Sequence, residues 1–217
     1  MLTEHKFATM EGVIIMTNWR SLGHRGDETE DIINLTNDLY ERHQLALMKK
    51  IAIPIKVTKI EGGRIAEGFY EEKSTVDYIG IIQGTAVCFD AKETFKSNLP
   101  LQNIHPHQLK YMQDFRAQGG VSFVLCNFKT YSDFRLIPLE VVEAYMKNCE
   151  AKGRKSIPYA ALDPQFSIRL NENGTLAYIE KIDLYMKLEK LGYFEDFQRC
   201  IDYAKADAFT VDGEVIT

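Results

Sequence analysis

Residues 74–93, STVDYIGIIQGTAVCFDAKE, constrain the fold of this chain more than any other segment. Two apolar stretches flank the turn signal QGT, and this order predicts two strands of one β-hairpin. Three charged side chains interrupt the apolar pattern, namely Asp77, Asp90 and Lys92. Because an isolated charge in a buried strand is costly, their presence indicates that the sheet uses them.

Strand geometry predicts how these charges are arranged. Successive side chains of a strand point to opposite faces of the sheet, so Asp90 and Lys92 project from the same face. Thr75 and Asp77 likewise share a face at the start of the preceding strand. A tight hairpin would bring Asp77 close to Asp90 and direct the intervening apolar side chains into a core.

The chemistry of this group follows from its two carboxylates, Asp77 and Asp90. Neighbouring carboxylates favour either a shared proton or a bound cation. Their oxygens suit Mg²⁺, which takes one or two protein carboxylates, and Mn²⁺ is an expected substitute. Lys92 beside such an ion can orient a water or stabilise a phosphorane transition state. The pattern therefore predicts metal-assisted phosphodiester hydrolysis; the alternative is a solvent-facing ion pair that contributes little.

Two residues outside the hairpin extend the candidate site. Gln108 lies in the first turn of a predicted helix, where its amide oxygen can reach a metal ion or its water. Glu30 lies in the first turn of the first predicted helix and offers a third carboxylate with a catalytic role. The alternative for Glu30 is that it complements the positive end of the helix dipole.

The rest of the pattern predicts an α/β domain with a mixed central sheet covered by helices. Residues 94–103 are expected to form a polar loop. Apart from the opening hairpin, the predicted strands are 51–60 and 64–72, which form a hairpin around EGG, and the segments VSFVLCNF and DFRLIPL. The predicted helices are 28–50, 106–118, 139–150, 180–191 and 194–206.

The net charge of −5 by itself disfavours a nucleic-acid partner, but the charge is unevenly distributed. Residues 160–217 carry 11 acidic and 6 basic residues, whereas 1–159 carry 20 of each. Basic residues cluster within the neutral part, as expected for contact with DNA. The alternative is a solvated charged surface. The candidate DNA-binding residues are Arg20, Arg25, Lys56, Lys59, Arg64, Lys152, Arg154 and Lys155.

The sequence predicts neither a membrane span nor a secretion signal. Its longest apolar runs have the length of a strand and not the ~20 residues of a spanning helix. The N-terminus lacks the basic start and the long apolar stretch of a signal peptide. We therefore expect a cytoplasmic protein without a membrane partner, whose four widely spaced cysteines are reduced core thiols.

In these segments the sequence resembles the RecU-type Holliday junction resolvases, which belong to the restriction-endonuclease-like nucleases. The densest similarity lies in STVDYIGIIQGTAVCFDAKET and LPLQNIHPHQLKYM, and the two together are specific. Further similar segments are HRG, ETEDIINLTNDLYERHQLALMKK, PIKVTKI and GRKSI. The resemblance covers residues 23–160 and extends more loosely to 206.

The resemblance implies a restriction-endonuclease-like fold, with a mixed central sheet flanked by helices and a protruding β-hairpin stalk at about 56–72. It implies a homodimer that binds four-way DNA junctions and cuts two strands symmetrically, with Mg²⁺, in recombination and repair. A strand-exchange recombinase is a further expected partner. We expect a flexible arm over 1–22, a nuclease domain over 23–206 and a tail over 207–217.

The same resemblance implies roles for individual residues. Lys92 would stabilise the transition state, and the metal ligands would be Thr75, Asp77, Asp90 and Gln108. Asp90 departs from the glutamate usual in the family, and its shorter side chain can shift the position or preference of the metal. The sequence EGG also makes the stalk tip less basic than expected. Two alternatives stay open: a nuclease of the same superfamily acting on linear duplex, and a non-catalytic junction-binding protein that modulates recombination.

Overall fold

A computed structural model describes residues 28–52, 54–70, 75–151, 153–194, 210–211 and 214–215. Its helices are α1 (Glu28–Arg42), α2 (Pro106–Ala117), α3 (Leu139–Glu150) and α4 (Tyr178–Lys190). The first six strands are β1 (Ala46–Lys50), β2 (Ile55–Glu61), β3 (Arg64–Tyr70), β4 (Tyr78–Ile82), β5 (Thr85–Thr94) and β6 (Asn98–Pro100). The others are β7 (Val121–Phe128), β8 (Asp133–Pro138), β9 (Ser156–Pro158), β10 (Ser167–Ile168), β11 (Thr210–Val211) and β12 (Glu214–Val215).

The central sheet has six strands in the order β1-β4-β5-β7-β8-β10. β5 and β7 are parallel, and the other neighbours are antiparallel. Apolar side chains of α1 and α4 pack on one face, and those of α2 and α3 pack on the other. All eight residues of β7 are buried, as expected for a strand covered on both sides. The predicted mixed sheet flanked by helices is confirmed.

The two faces of β5 have different neighbours. Val87 and Phe89 belong to the core under α1 and α4, and Phe89 stacks between Tyr78 and Phe123 at ring-centroid distances of 4.8 and 5.0 Å. Cys88 belongs to the opposite core, under α2 and α3. The predicted alternation is therefore confirmed, and Asp90 shares the face of Cys88.

The first helix is shorter than predicted. It ends at Arg42, and the segment predicted as its last two turns contains a turn and the edge strand β1. Gln44 has a positive φ of 56°, which a helix does not tolerate. After it, Ala46 and Met48 point into the core while Leu47 is half exposed, which is a strand alternation. Antiparallel pairing with β4 makes this segment a strand, although its sequence pattern predicts a helix.

β2 and β3 form the predicted hairpin, turning at Gly62 and Gly63 with φ values of 57° and 76°. This conformation suits glycine because it has no Cβ. The side chains of 56–69 are exposed on both strands. The predicted hairpin is therefore confirmed. Its insertion into a DNA junction stays a prediction.

Residues 94–103 are not the loop that the sequence predicted. They contain β6 and a 3₁₀ turn at Leu101–Asn103. β6 pairs with β9, and Leu99 is buried opposite Ile157. One apolar residue in a three-residue strand is too short a pattern to recognise from sequence.

Two further predictions concern the ends of the chain. The arm over 1–22 lies outside the described residues, and so does the predicted helix 194–206 apart from Phe194. Within the predicted tail, β11 and β12 pair antiparallel. No helix in the described ranges is long and apolar enough to cross a membrane.

Candidate active site

The hairpin of β4 and β5 assembles the candidate site. It turns at Gln83 and Gly84, whose φ values of 46° and 84° are those of a type I′ turn, the connection that matches strand twist. Tyr78 pairs with Phe89, so the next residues along each strand, Asp77 and Asp90, lie opposite each other. One oxygen of Asp77, Oδ2, accepts a 2.8 Å hydrogen bond from the Ala91 amide. The hairpin thus brings the two carboxylates together as expected.

Asp90 is the centre of this group, with a side chain that is 0% exposed. Lys92 places its Nζ 2.5 Å from Asp90 Oδ2. Gln108 donates from Nε2 to Asp90 Oδ1 at 2.6 Å, and its Oε1 lies 3.5 Å from Lys92 Nζ. Gln108 therefore contacts both members of the ion pair, although it comes from a different element.

The start of α2 holds Gln108 in this position. Pro106 occupies the first turn, where its missing amide hydrogen costs nothing. The His105 backbone N–H donates to Gln108 Oε1 at 3.2 Å, which defines the orientation of the amide. Met112, one turn later, is fully buried against the sheet, and its carbonyl accepts from Ser122 of β7. The amide is thus fixed by helix capping and by core packing.

Burial dominates the electrostatics of Asp90 and raises its pKa to about 8, with Lys92 opposing and Asp77 reinforcing the shift. Asp90 Oδ2 makes the 2.5 Å ion pair with Lys92 Nζ, and no further donor is assigned to this oxygen in the described part of the chain. A carboxylate has about four lone-pair sites, so Asp90 keeps lone pairs that a bound cation can use.

These residues fit Mg²⁺. Two carboxylates with an amide oxygen nearby are hard oxygen donors, and Mg²⁺ is bound by one or two protein carboxylates plus water and phosphate. Asp90 Oδ2 contacts Lys92 Nζ at 2.5 Å, so a metal ion bound by Asp90 would lie close to the Lys92 ammonium group. No group of three or more His, Cys, Asp or Glu side chains converges among the described residues.

A family model described as "Recombination protein U" matches residues 24–184 of the chain. The chain belongs to the RecU family. The match contains the whole hairpin of β4 and β5 together with α2, and therefore every residue of the group around Asp90. The resemblance seen in the sequence is confirmed.

Individual relatives agree with the family match. The Holliday junction resolvase RecU of Oenococcus oeni is 33% identical over 175 residues, which are 78% of this chain and 86% of that protein. The protein of the same name from Geobacillus sp. is 32% identical over 178 residues, covering 79% and 86%. Among solved structures, the Archaeoglobus fulgidus Holliday junction resolvase Hjc matches with a TM-score of 0.34 and 12% identity, over 53% of this chain and 78% of that one.

Two predicted site residues of this RecU-family chain lie at the margin of the group. Thr75 is half-buried two residues before Asp77, on the segment that enters β4. Glu30 binds Lys50 at 2.5 Å, and its backbone carbonyl accepts a long hydrogen bond from the Tyr78 hydroxyl. The roles of Thr75 as a ligand and of Glu30 in catalysis stay predictions.

The candidate DNA-binding residues fall into three groups. Lys56, Lys59 and Arg64 are exposed on the β2–β3 hairpin, where Lys59 pairs with Glu61. Arg154 and Lys155 are exposed just before β9. Arg20, Arg25 and Lys152 lie outside the described residues.

The cysteines behave as packed thiols where the structure describes them. Cys88 and Cys126 are buried, and Cys149 is half-buried. Burial, reinforced by the charge of Asp90, raises the pKa of Cys88 to about 12 and so keeps it protonated. Cys200 lies outside the described residues.

The sequence analysis missed a polar cluster at the same end of the sheet, on the face of α1. Thr29 donates to Glu93 at 2.5 Å and accepts from Asn127 at 2.9 Å. Lys129 lies 3.3 Å from Glu93 and 2.7 Å from Glu28. These contacts tie α1 to β5, which carries Lys92, and to β7. The position of Glu93 directly after Lys92 was the only hint in the sequence.

A second missed group is a buried ion pair on β8. Arg135 donates to Asp133 at 2.6 Å, and both side chains are at least 90% buried. Tyr159 donates to Asp133 and accepts from Arg135, each at 2.8 Å, and Ser167 donates to Asp133 at 2.5 Å. The signal was present as DFR, an acidic and a basic residue two apart in a strand, the same spacing as in DAK at 90–92.

Proposed function

We propose that this RecU-family chain is a magnesium-dependent endonuclease that resolves four-way DNA junctions. The observation that supports it most is the buried carboxylate of Asp90, which lies beside Asp77 and pairs with Lys92. Relatives that share about a third of their residues with the chain carry the name Holliday junction resolvase. Geometry and relatedness thus support the same chemistry independently.

Asp77 and Asp90 would hold Mg²⁺, or Mn²⁺ in its place, with Gln108 and Thr75 completing the ligand set. The bound ion would supply charge neutralisation at the scissile phosphate and an activated water. Because burial raises the pKa of Asp90 to about 8, this carboxyl has to lose its proton before it can act as a ligand. Mg²⁺ and protons therefore compete for Asp90, so the Mg²⁺ concentration needed for cleavage is expected to fall as the pH rises.

Lys92 would act on the scissile phosphate. Its ammonium group lies on the same face as Asp90 and is only 15% exposed, so its charge is poorly screened by solvent. Facing the scissile phosphate, it would stabilise the additional negative charge of the transition state or orient the attacking water. Gln108 is a positioning residue, because its amide contacts both Asp90 and Lys92.

DNA would be held mainly through its phosphates. The exposed basic residues of the β2–β3 hairpin and of the loop before β9 present charge without rigid base-reading geometry. We therefore expect modest sequence preference and a steep decline of affinity with salt. Two symmetric cuts would require two sites, which a homodimer provides. The proposal also includes a strand-exchange recombinase as a partner. It places the protein in the cytoplasm, where it would encounter its DNA substrate.

The decisive experiment compares a mobile four-way junction with a linear duplex of the same sequence, with and without Mg²⁺. We expect the full chain to cut the junction faster and only with the ion. Asp77→Ala should reduce cleavage by about a thousandfold, because a metal ligand contributes several kcal/mol to the barrier. Asp114→Ala, which removes an exposed carboxylate of α2, is the matched control and should cleave normally.

Each alternative predicts a different result. Equal rates on junction and duplex would favour a nuclease for linear DNA. Tight junction binding without cleavage in Mg²⁺ would favour a non-catalytic modulator of recombination. Cleavage that survives Asp77→Ala would show that the site around Asp90 is not the catalytic one.

A further inference from the structure

Three planar groups form a stacked column on β8 and its neighbouring turns. The guanidinium of Arg135 lies 4.5 Å from the centre of the Tyr159 ring. Tyr131, in the 3₁₀ turn Lys129–Tyr131, stacks on the same ring with centroids 3.9 Å apart and planes inclined by 8°. Phe128 contacts Tyr159 edge-on at 5.2 Å. The column therefore ends at Tyr131.

The base of this column is rigid. The Tyr159 hydroxyl is bonded to Asp133 and to Arg135, and Arg135 also donates to the Asp163 carbonyl at 2.9 Å. Asp133 and Arg135 are both about 95% buried. A platform held in this way loses little conformational freedom when a further planar group stacks on it.

The other end of the column is open. Tyr131 is 42% exposed although Tyr159 covers one face of its ring. Tyr159 is the one ring that contacts Tyr131 within the described ranges. Tyr131 therefore keeps accessible aromatic surface, of the kind on which nucleobases stack.

The column lies on the catalytic face of the sheet. Strand register places Lys92 of β5, Cys126 of β7 and Arg135 of β8 in one row across the sheet. Paired residues in adjacent strands point to the same face, so Arg135 and Lys92 share it at a separation of two strands, about 10 Å. A nucleic-acid strand at this end of the sheet can contact Lys92 and Tyr131, whereas Arg135 is buried.

The surroundings of the column suit DNA. Thr130 donates to the carbonyl of Phe95, whose ring is 74% exposed, so a second accessible aromatic side chain lies on the adjoining turn. Lys96 follows it and is exposed. The exposed Arg154 and Lys155 lead directly into β9 and hence to Tyr159. Accessible aromatic rings among basic residues are typical of surfaces that bind unpaired nucleic acid.

We propose that Tyr131 is a stacking platform for a nucleobase that is unstacked at the branch point of the DNA substrate, next to the cleaved phosphate. This inference rests on the proposed function, because it assumes a branched DNA on the catalytic face. It adds a reason for branch selectivity, since a base inside a continuous duplex is not free to stack on a protein ring. Arg135 and Tyr159 support the platform and do not contact the base.

Binding measured without cleavage tests this proposal. The full chain is titrated, with EDTA present, into a four-way junction that carries 2-aminopurine at the branch point, and separately into single-stranded and duplex DNA. Tyr131→Ala should weaken binding to the junction and the single strand by about 5- to 100-fold and leave duplex binding unchanged. The quenching of 2-aminopurine on binding should disappear with it.

Two conservative variants separate stacking from packing. Tyr131→Phe keeps the ring and should bind within about twofold of the unchanged chain. Tyr131→Leu keeps apolar bulk over Tyr159 but offers no flat face, and should behave like Tyr131→Ala. Thermal melting of all variants near the unchanged chain is expected because Tyr131 is exposed on one side.

The outcomes are distinguishable from a failure of the proposed function. Unchanged junction affinity of Tyr131→Ala, an equal loss on duplex DNA, or full affinity of Tyr131→Leu would each overturn the platform. None of these measurements needs cleavage, so a chain that binds branched DNA through Tyr131 yet never cuts it would refute only the nuclease. A chain that cuts junctions normally with Tyr131→Ala and unchanged binding would refute only the platform.

Discussion

The chain contains two acidic–basic pairs of the same spacing on the same face of its sheet, and they are used differently. Asp90 and Lys92 lie on β5, and Asp133 and Arg135 lie on β8, two strands away. Lys92 and Arg135 even occupy one row of the strand register. Both carboxylates are almost completely buried.

The carboxylates of the two pairs differ in the number of hydrogen bonds that they accept. Asp133 accepts hydrogen bonds at both oxygens, from Ser167, Tyr159 and Arg135. Asp90 accepts from Gln108 at one oxygen, whereas its other oxygen makes only an ion pair with Lys92. A buried carboxylate with all its donors holds a structure together. A buried carboxylate with fewer donors and a raised pKa is typical of a functional site.

The largest expected effect is on stability and concerns the cation of each pair. Arg135→Met should lower the free energy of unfolding by about 3–5 kcal/mol, because it leaves Asp133 charged and buried. Lys92→Met should cost less than about 1 kcal/mol, because Asp90 can take up a proton at its raised pKa. Urea unfolding at pH 7 measures both. Equal losses of stability in the two variants would contradict the proposed difference between the two ion pairs.

The next effect is a pH dependence of stability that comes from Asp90. A carboxyl with a raised folded pKa stabilises the fold below its unfolded value, near 3.8, and this contribution is lost as the pH rises toward 8. Asp90→Asn should therefore be more stable than the unchanged chain by about 1 kcal/mol or more at pH 8, with the difference vanishing near pH 4. Melting temperatures across this range provide the measurement.

Asp133→Asn is the matched control for that prediction. It should destabilise the fold at pH 8, because an amide cannot accept at both positions and its NH₂ group would face the donors of Arg135 and Ser167. A stabilising effect of Asp133→Asn, or a pH-independent effect of Asp90→Asn, would contradict the assignment of roles.

The smallest effect concerns the length of the carboxylate. Asp90→Glu adds one methylene beside a 2.6 Å contact with Gln108. We expect junction cleavage within about tenfold of the unchanged chain, with a shifted Mg²⁺ midpoint, because the added methylene is only a modest overpacking. Titrating the cleavage rate with Mg²⁺ and with Mn²⁺ measures this. A loss as large as that of Asp77→Ala would mean that the site is built specifically for aspartate.

Much of the fold was predictable because its signals are local. Alternation along β5, the QGT turn and the start of a helix at Pro106 each involve a few neighbouring residues, and the structure agrees with all three. The predictions for the segments that form β1 and β6 were wrong, because pairing with strands distant in sequence decides their structure. β1 pairs with β4, and β6 pairs with β9. The propensity of a five-residue segment is weaker than the pairing of a whole strand.

The group around Asp90 was predicted from strand parity and one tight turn, while the column under Tyr131 was not. Tyr131, Arg135 and Tyr159 come from three segments, and their stacking depends on how the turn Tyr159–Ala161 returns over β8. No periodicity in the sequence encodes that approach. Such contacts arise from the packing of distant segments and have to be seen in three dimensions.

By itself the sequence determined which residues can form acidic–basic pairs, because side-chain parity along a strand is a local property. On two strands of the central sheet it places the same spacing, in DAK at 90–92 and in DFR at 133–135. Only the tertiary structure decided that one pair is left short of hydrogen-bond donors and the other is saturated. The physical reason is that the donors come from Ser167, Tyr159 and Gln108, and the path of the chain between strands sets where those residues lie.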